Sequence, residues 1–349
     1  MPISSSNKEK QVLATNAASS GIKLDKKIMK KFAKRSDVPG ILFLIKLFLV
    51  LMLLGFFVYE SIGTLWLIPA ELLYGTVLTV SMYSLSHEAA HGTAFKSRWV
   101  NEVAFWISSL IYMEEPLHRR YTHTNHHTFT WHVGKDTQMP FDTPMNFRSW
   151  VLEISGLALL KFHIGVMKNL VLKKYTEQMR LAVPAEKLPK LTRNARIFLL
   201  IYFGIFIFII NGFMWPFWFI ILPRIMGTPI FMMFGLIQHV ELKENSSSIL
   251  ESTRSFNTNW FVGLIYMNMN FHVEHHLYPQ IPFHSLPKLN KVISYQLPKP
   301  DPGFWKTNWE VLLVVIKRSL GLNTKANSIR QSPHMITNGF YNSISKKSM

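Results

Sequence analysis

Four long apolar stretches alternate with polar segments along the chain. The first two cover residues 40–59 and 62–85, and the other two cover residues 197–214 and 216–237. Because about 20 apolar residues cross a bilayer core of roughly 30 Å, each stretch predicts a membrane span. The turns within each pair are short, so the spans are predicted to form two helical hairpins. Buried core helices of a soluble protein are the alternative, but two such pairs rarely fit inside a soluble domain.

The distribution of basic residues predicts the direction of these spans. The chain has 38 Lys and Arg against 20 Asp and Glu, a net charge of +18. Residues 1–36 and 161–196 are rich in Lys and Arg, whereas neither hairpin turn contains a basic residue. The positive-inside rule therefore places the N-terminus, the middle segment and the C-terminal third in the cytosol. Arg224 fits a simple fourth span poorly, so either its side chain snorkels or the span begins late, with a kink at Pro223.

The polar ends of the chain divide it into three predicted regions. Residues 1–39 are expected to form a mobile basic N-terminal arm, without a signal peptide, that lies on anionic lipid. Residues 40–321 are expected to form a membrane and cap domain, and residues 322–349 a disordered C-terminal tail. No nucleic-acid partner is expected.

Histidines gather at the cytosolic ends of the predicted spans. One pair with HxxxH spacing closes the second span, two groups have HxxHH spacing, and one further histidine follows the fourth span. Spacings of three and four place side chains on one helix face. Hydropathy alone therefore puts nine of the 14 histidines on one side of the membrane: His87, His91, His123, His126, His127, His239, His272, His275 and His276.

The residue types limit the chemistry of such a cluster. The chain has no cysteine, which excludes disulfides, iron–sulfur clusters and thiolate zinc sites. Nine imidazoles exceed the needs of one tetrahedral zinc ion and suit two five- or six-coordinate transition metals. Ligand type alone does not choose among iron, zinc, copper and nickel. The other five histidines have no repeated spacing and are interpreted as ordinary residues, although His118 and His132 flank the second group and could support ligands.

Acidic residues lie beside the histidine groups. A ligating histidine usually donates its second ring N–H to a carboxylate or a carbonyl, which fixes its tautomer. Four acids are placed to accept such bonds, and the alternative for each is an ordinary solvated side chain: Glu88, Asp136, Glu241 and Glu274.

From about residue 40 to residue 300 the chain resembles the membrane fatty acid desaturase superfamily. The resemblance is carried by HEAAHGTAF at 87–95, by HTNHHTFT at 123–130 with Asp136 further on, and by NMNFHVEHHLYP at 268–279. The flanking motifs are nearest the chemically mixed branch with bacterial desaturases and rhizopine-type oxygenases. Relatives have four membrane helices and a cytosolic cap. The expected fold class is thus an all-α integral membrane protein with four transmembrane helices in two hairpins and a cytosolic histidine-rich helical cap.

The resemblance also implies an activity and a cofactor. It implies a non-haem enzyme with two iron ions that uses O2 as co-substrate. The eight box histidines would bind iron, His239 takes the place of a further ligand by its order in the chain, and no other catalytic residue is expected. The implied reaction is desaturation of an acyl chain of a lipid or acyl thioester. The alternative is a hydroxylase or demethylating monooxygenase acting on a lipid or small molecule.

The electron donor is expected to be a separate protein such as ferredoxin or cytochrome b5. The reason is that the His-Pro-Gly-Gly motif of a fused cytochrome b5 domain does not occur in the sequence. Such carriers are usually acidic, and a basic cytosolic face would attract them. The alternative is that the basic residues only set the topology and bind lipid headgroups.

Two other classes of protein are rivals. The HExxH motif at 87–91 also fits a zinc membrane protease with Glu88 as general base, but that class has no use for two HxxHH groups. A metal transporter or sensor would carry its histidines at the bilayer midplane, whereas these lie at span ends. One zinc ion per chain would favour the protease, and two irons the oxygenase.

Overall fold

The computed structural model describes residues 16–17, 19–139 and 143–322 of the chain. Across these residues the fold is helical, and one isolated bridge between Phe256 and Asp301 is the only β pairing. Short 3₁₀ turns join several of the helices. The α-helices, numbered in chain order, are α1 (Lys26–Phe32), α2 (Asp37–Ser61), α3 (Leu67–Ala90), α4 (Arg98–Tyr112), α5 (Pro116–Thr128), α6 (Phe147–Ile154), α7 (Leu157–Val171), α8 (Glu177–Ala182), α9 (Leu188–Ile210), α10 (Leu222–Leu236), α11 (Ile249–Ser252), α12 (Trp260–Ile265), α13 (His272–Leu277), α14 (Leu286–Ile293) and α15 (Phe304–Ser319).

Three helical segments are long and apolar enough to cross a membrane. They are α2, the run Ala185–Ile210 that contains α9, and the run Phe217–Leu236, in which a π-helical turn leads into α10. Helices α6 and α7 meet the same standard as a pair bent by 67°, and they make a fourth span if they act as one. The described residues therefore form an all-helical protein with three or four candidate spans.

The second predicted membrane span forms a helix, α3, but this helix lies among other helices of the protein. Helix α3 is not among the segments that are long and apolar enough to cross a membrane, because Ser, Thr and Tyr interrupt its apolar residues. Most of α3 is buried, and it packs against α2, α4 and α10. A Cβ atom on Gly227 would lie 2.0 Å from the carbonyl oxygen of Gly75. Two glycines thus let α3 and α10 approach more closely than larger residues allow.

The predicted basic arm is partly packed onto the rest of the protein. Ala17 and Ile22 are buried in an apolar cluster with Leu277 of α13. Helix α2 begins at Asp37, three residues before the predicted domain boundary. At Ala17 and Ile22 the predicted arm is therefore packed in an apolar core. Most of the predicted C-terminal tail falls outside the described residues.

Arg224 lies inside the protein rather than at its surface. Its guanidinium carbon is 4.8 Å from the centre of the Tyr112 ring, and it donates hydrogen bonds to Thr228 and to the carbonyl of Tyr112. Only 9% of Arg224 is exposed. The proposed snorkelling is therefore wrong, since an aromatic ring and polar atoms inside the fold hold the charge. The span does not begin late at Pro223 either, because the helical run already includes Phe217. Pro223 lies just after the π-helical turn, a local adjustment that accommodates a proline within a helix.

Candidate metal centre

The fold brings all nine predicted histidines together. They come from the end of α3, from α5, from the segment after α10 and from α13. They form two groups, and within each group the possible ligand atoms lie within 4.8 Å of one another. All are buried except His91, which is half-buried. The first group is His87, His91, His123, His127 and His275, and the second is His126, His239, His272 and His276.

Each HxxHH segment contributes to both groups. In α5 the outer two histidines, His123 and His127, belong to the first group and the inner one to the second. In α13 the outer two histidines, His272 and His276, belong to the second group and the inner one to the first. Residues four apart share a helix face, whereas the inner histidine is turned to the side of it. The two groups are therefore adjacent, and the rings of His127 and His276 stack with centroids 4.2 Å apart.

The inner ring nitrogens converge within each group. Neighbouring Nε2 atoms lie 3.1–3.2 Å apart in four pairs: His123 with His127, His127 with His275, His239 with His272, and His272 with His276. Adjacent ligand nitrogens of an octahedral ion lie at this same distance from each other when each metal–nitrogen bond is about 2.2 Å long. The spacing thus suits ligands around a transition metal.

The outer ring nitrogens determine where the lone pairs point. Each Nδ1 that faces a carbonyl or carboxylate oxygen must carry the proton, so its Nε2 presents a lone pair to the group. Several lone pairs aimed at one point repel each other, and a cation removes this repulsion. Three histidines are fixed in this tautomer: His123 donates to Gln138 Oε1 (3.0 Å), His126 to Asp136 Oδ2 (2.8 Å) and His239 to the carbonyl of Ser252 (2.8 Å).

The ring nitrogens of His87 provide a second, independent argument for a bound metal. The residue is fully buried, and neither of its ring nitrogens has a hydrogen-bond partner among the described residues. An unsatisfied buried polar atom costs about 1–3 kcal/mol. A metal bound by one of these nitrogens would satisfy it. The donor set therefore fits metal ions in both its geometry and its unsatisfied atoms.

Burial also keeps these imidazoles uncharged. Burial, reinforced by neighbouring histidines, lowers the pKa of His123, His127, His272 and His276 well below the usual value. It lowers the pKa of His275 to about 3. Neutral imidazole is the form that binds metals. The cluster is thus held in a metal-binding state at neutral pH.

Among the four predicted supporting acids, Asp136 is bonded to a histidine. Besides His126, its carboxylate accepts hydrogen bonds from the backbone N–H groups of Trp131 and Gln138. Burial opposes its charge, but His126 and these donors outweigh burial and lower the pKa of Asp136. An ionised Asp136 therefore orients His126.

Each of the three other acids accepts hydrogen bonds from residues that are not histidines. Glu88 accepts a hydrogen bond from the backbone N–H of Phe283 (3.0 Å). Glu241 forms a bidentate ion pair with Arg318 of α15. Glu274 accepts hydrogen bonds from the side chains of Ser255 and Asn290. These acids tie the segments that carry histidines to neighbouring parts of the fold, and none of these bonds goes to a histidine.

A cavity of about 150 Å³ opens onto both groups. Histidines of both groups line it, among them His87 and His272. Phe231 and Met232 of α10 form part of an apolar wall. Polar residues that the sequence patterns did not indicate also line the cavity: Glu114, Arg119, Glu153 and His163. The charged run at 114–120, directly after an apolar segment, is the signal that could have indicated the first two.

His118 also lines the cavity, outside both histidine groups. Its Nδ1 is 3.9 Å from Glu114 Oε1, and burial lowers the pKa of His118 to about 4. His132, the other flanking histidine, faces the carbonyl of Thr130 through its Nδ1 (3.1 Å). Among the described residues, neither belongs to either of the two histidine groups.

The fold and the site define a class of helical membrane-type protein whose buried histidines form two potential metal sites beside one cavity. The fatty acid desaturase family matches residues 62–308, a span that contains all nine histidines. The chain belongs to this family. A Caenorhabditis elegans protein, named as a candidate sphingolipid delta(4)-desaturase/C4-monooxygenase, is 22% identical over 226 residues, which are 62% of this chain and 55% of that protein. The chain thus spans about half the length of this curated relative.

Proposed function

We propose that the chain is an O2-dependent diiron oxidoreductase that desaturates an acyl chain of a lipid or acyl thioester. The observation that carries the proposal is the pair of adjacent all-histidine groups that share one cavity. Membership of the desaturase family supports a lipid-directed oxidoreductase of the membrane. The nine histidines are proposed as iron ligands, five to one ion and four to the other.

Bound iron would supply the activation of O2 and the removal of hydrogen from an unactivated C–H bond. The chain's own residues hold the ligands and position the substrate. Asp136 and Gln138 hold His126 and His123 through their Nδ1 atoms. The apolar cavity wall would hold a hydrocarbon segment against the histidine groups and keep water away from it.

The proposed reaction balances with two external electrons. A –CH2–CH2– unit, O2, two electrons and two protons give –CH=CH– and two waters. The second candidate is hydroxylation, in which C–H, O2, two electrons and two protons give C–OH and one water; on an O- or N-methyl group the product loses formaldehyde. The relative's name combines a desaturase with a monooxygenase, which supports keeping both reactions.

We also propose the topology and the electron donor. Both termini and the histidine cap would lie in the cytosol, with the spans in two hairpins, as the distribution of basic residues predicts. A one-electron carrier such as ferredoxin or cytochrome b5 would deliver the two electrons. The basic surface supports docking of an acidic carrier.

A zinc protease has less support than the oxidoreductase. A protease would need the Glu88 carboxylate beside a metal-bound water, whereas this carboxylate accepts a hydrogen bond from Phe283. It would also leave the second histidine group without a role. One zinc per chain and no iron would nevertheless favour it.

The test is mass spectrometry of lipids and small metabolites from cells that express the wild-type chain or His275→Ala. We expect the wild type to produce a species lighter by two hydrogens, and the variant to produce none and to bind less iron. A species with one added oxygen or a lost methyl group would instead establish the second candidate. Full activity and iron content in His275→Ala would overturn the ligand assignment.

A further inference from the structure

One wall of the cavity carries a buried arginine that the metal proposal does not use. Arg119 of α5 is 5% exposed and lines the cavity. Its Nη1 lies 3.5 Å from Glu114 Oε2, and its guanidinium carbon lies 4.8 Å from the centre of the Tyr83 ring. The positive charge is therefore balanced inside the protein, and the side chain is held against the cavity.

The guanidinium has unused hydrogen-bond donors. Nε and Nη2 of Arg119 have no well-aligned hydrogen-bond acceptor among the described residues, and their near neighbour is the Tyr83 side chain. Buried donors are almost always paired, because an unpaired one loses its hydration without compensation. A guanidinium donates and never accepts. A further partner for these donors must therefore be an acceptor, and because Arg119 lines the cavity, a bound molecule can supply one there.

The position of Arg119 indicates where this acceptor would lie relative to the reacting carbon. Arg119 precedes His123 by four residues in the same helix, so the two share a face and their backbones lie about 6 Å apart along the axis. His123 lines the same cavity and belongs to the first histidine group. An oxygen bound by Arg119 would thus lie in the same cavity as a carbon held against that group, and close to it.

We propose that Arg119 binds a hydroxyl or carbonyl oxygen of the substrate that lies close to the carbon that is oxidised. The inference rests on the proposed function and narrows its substrate class. It selects a chain oxidised next to an oxygen-bearing head over a chain oxidised at a remote methylene. An ordered water could supply the same acceptor, and the experiment separates the two sources.

The test compares two chains of similar length that differ in the oxygen. Radiolabelled hexadecanamide and heptadecane are equilibrated with the full-length, iron-loaded protein in detergent micelles, with protein-free micelles as blank. Because a hydrogen bond to a charged group is strong, we expect the amide to bind at least about tenfold more tightly. Arg119→Met should lower amide binding to the level of heptadecane, and Arg119→Lys should retain part of the difference.

Arg120→Met is the matched control. Arg120 lies in the same helix but pairs with Glu102 and does not line the cavity, so its substitution should leave the preference for the amide intact. Equal binding of both probes by the wild type, or an undiminished preference in Arg119→Met, would overturn the inference and indicate a water. Even if Arg119→Met does not fold, the comparison of amide and heptadecane binding by the wild type can overturn the inference.

The outcomes also separate this inference from the proposed function. If cells contain oxidised lipid but the purified protein shows no preference for the amide, the proposed role of Arg119 is wrong and the proposed oxidoreductase stands. A preference for the amide without any oxidised product would establish an oxygen-binding site and contradict the proposed function.

Discussion

The side-chain amide of Asn16 donates a hydrogen bond to the backbone carbonyl of His127, with a distance of 2.8 Å. The same Nδ2 lies 3.3 Å from the carbonyl of His276. His127 belongs to the first histidine group and His276 to the second. One residue near the N-terminus therefore connects the two helices that supply six of the nine histidines, at the point where their rings stack.

Replacing Asn16 should loosen this connection. Asn16→Ala removes both donors while the carbonyls stay buried, and each lost bond costs about 0.5–1.5 kcal/mol. We expect a lower thermal unfolding midpoint and faster loss of bound iron to a chelator. Asn211→Ala is the control, because Asn211 bonds only to a carbonyl of its own helix at an exposed turn. Identical chelation rates in Asn16→Ala and the wild type would show that the contact does not support the site.

Asp136→Asn tests the orientation of His126. An amide of the same shape lacks the charge that favours the Nδ1–H tautomer, and loss of such a supporting acid typically lowers metal affinity 10- to 100-fold. We expect one of the two irons to be lost at chelator concentrations that leave the wild type intact. Glu177→Gln, at an exposed acid in α8, should have no such effect. Unchanged retention of both irons in Asp136→Asn would contradict the proposed role.

Gly227→Ala tests the close approach of α3 and α10. The new Cβ would lie 2.0 Å from a backbone carbonyl of α3, so the helices must separate, and overpacking of this kind typically costs 1–3 kcal/mol. We expect a lower yield of folded protein and a lower thermal unfolding midpoint in detergent. Gly235→Ala on the same helix meets no atom within 4 Å and should be tolerated. Equal midpoints for the two variants would show that the contact is not tight.

Hydropathy located the four long helices because apolar residues in runs of about 20 have few structural alternatives. It did not distinguish a helix that faces lipid from one that is enclosed by other helices. Helix α3 is buried on most sides, and only packing partners from distant parts of the chain, such as α10, reveal this. The bent pair α6 and α7 was missed for a related reason, since each half is too short to span alone.

Histidine spacing located the candidate site but not its division. The pattern HxxHH predicts a shared helix face, whereas the structure assigns His126 and His275 to different groups from their nearest helix neighbours. Which group a side chain joins depends on the angle between α5 and α13, and the sequence does not determine that angle. The sequence likewise did not determine the bonding partners of the supporting acids. The bond from Asp136 to His126 spans ten residues, while Glu241 pairs with Arg318, 77 residues away.

The central claim is that the two histidine groups each hold an iron ion, and metal analysis of the purified full-length protein tests it most directly. Inductively coupled plasma mass spectrometry should find two irons per chain in the wild type and close to one in His239→Ala, which removes a ligand of the second group only. His132→Ala, outside both groups, should keep two. One zinc per chain in the wild type, or two irons in His239→Ala, would contradict the claim.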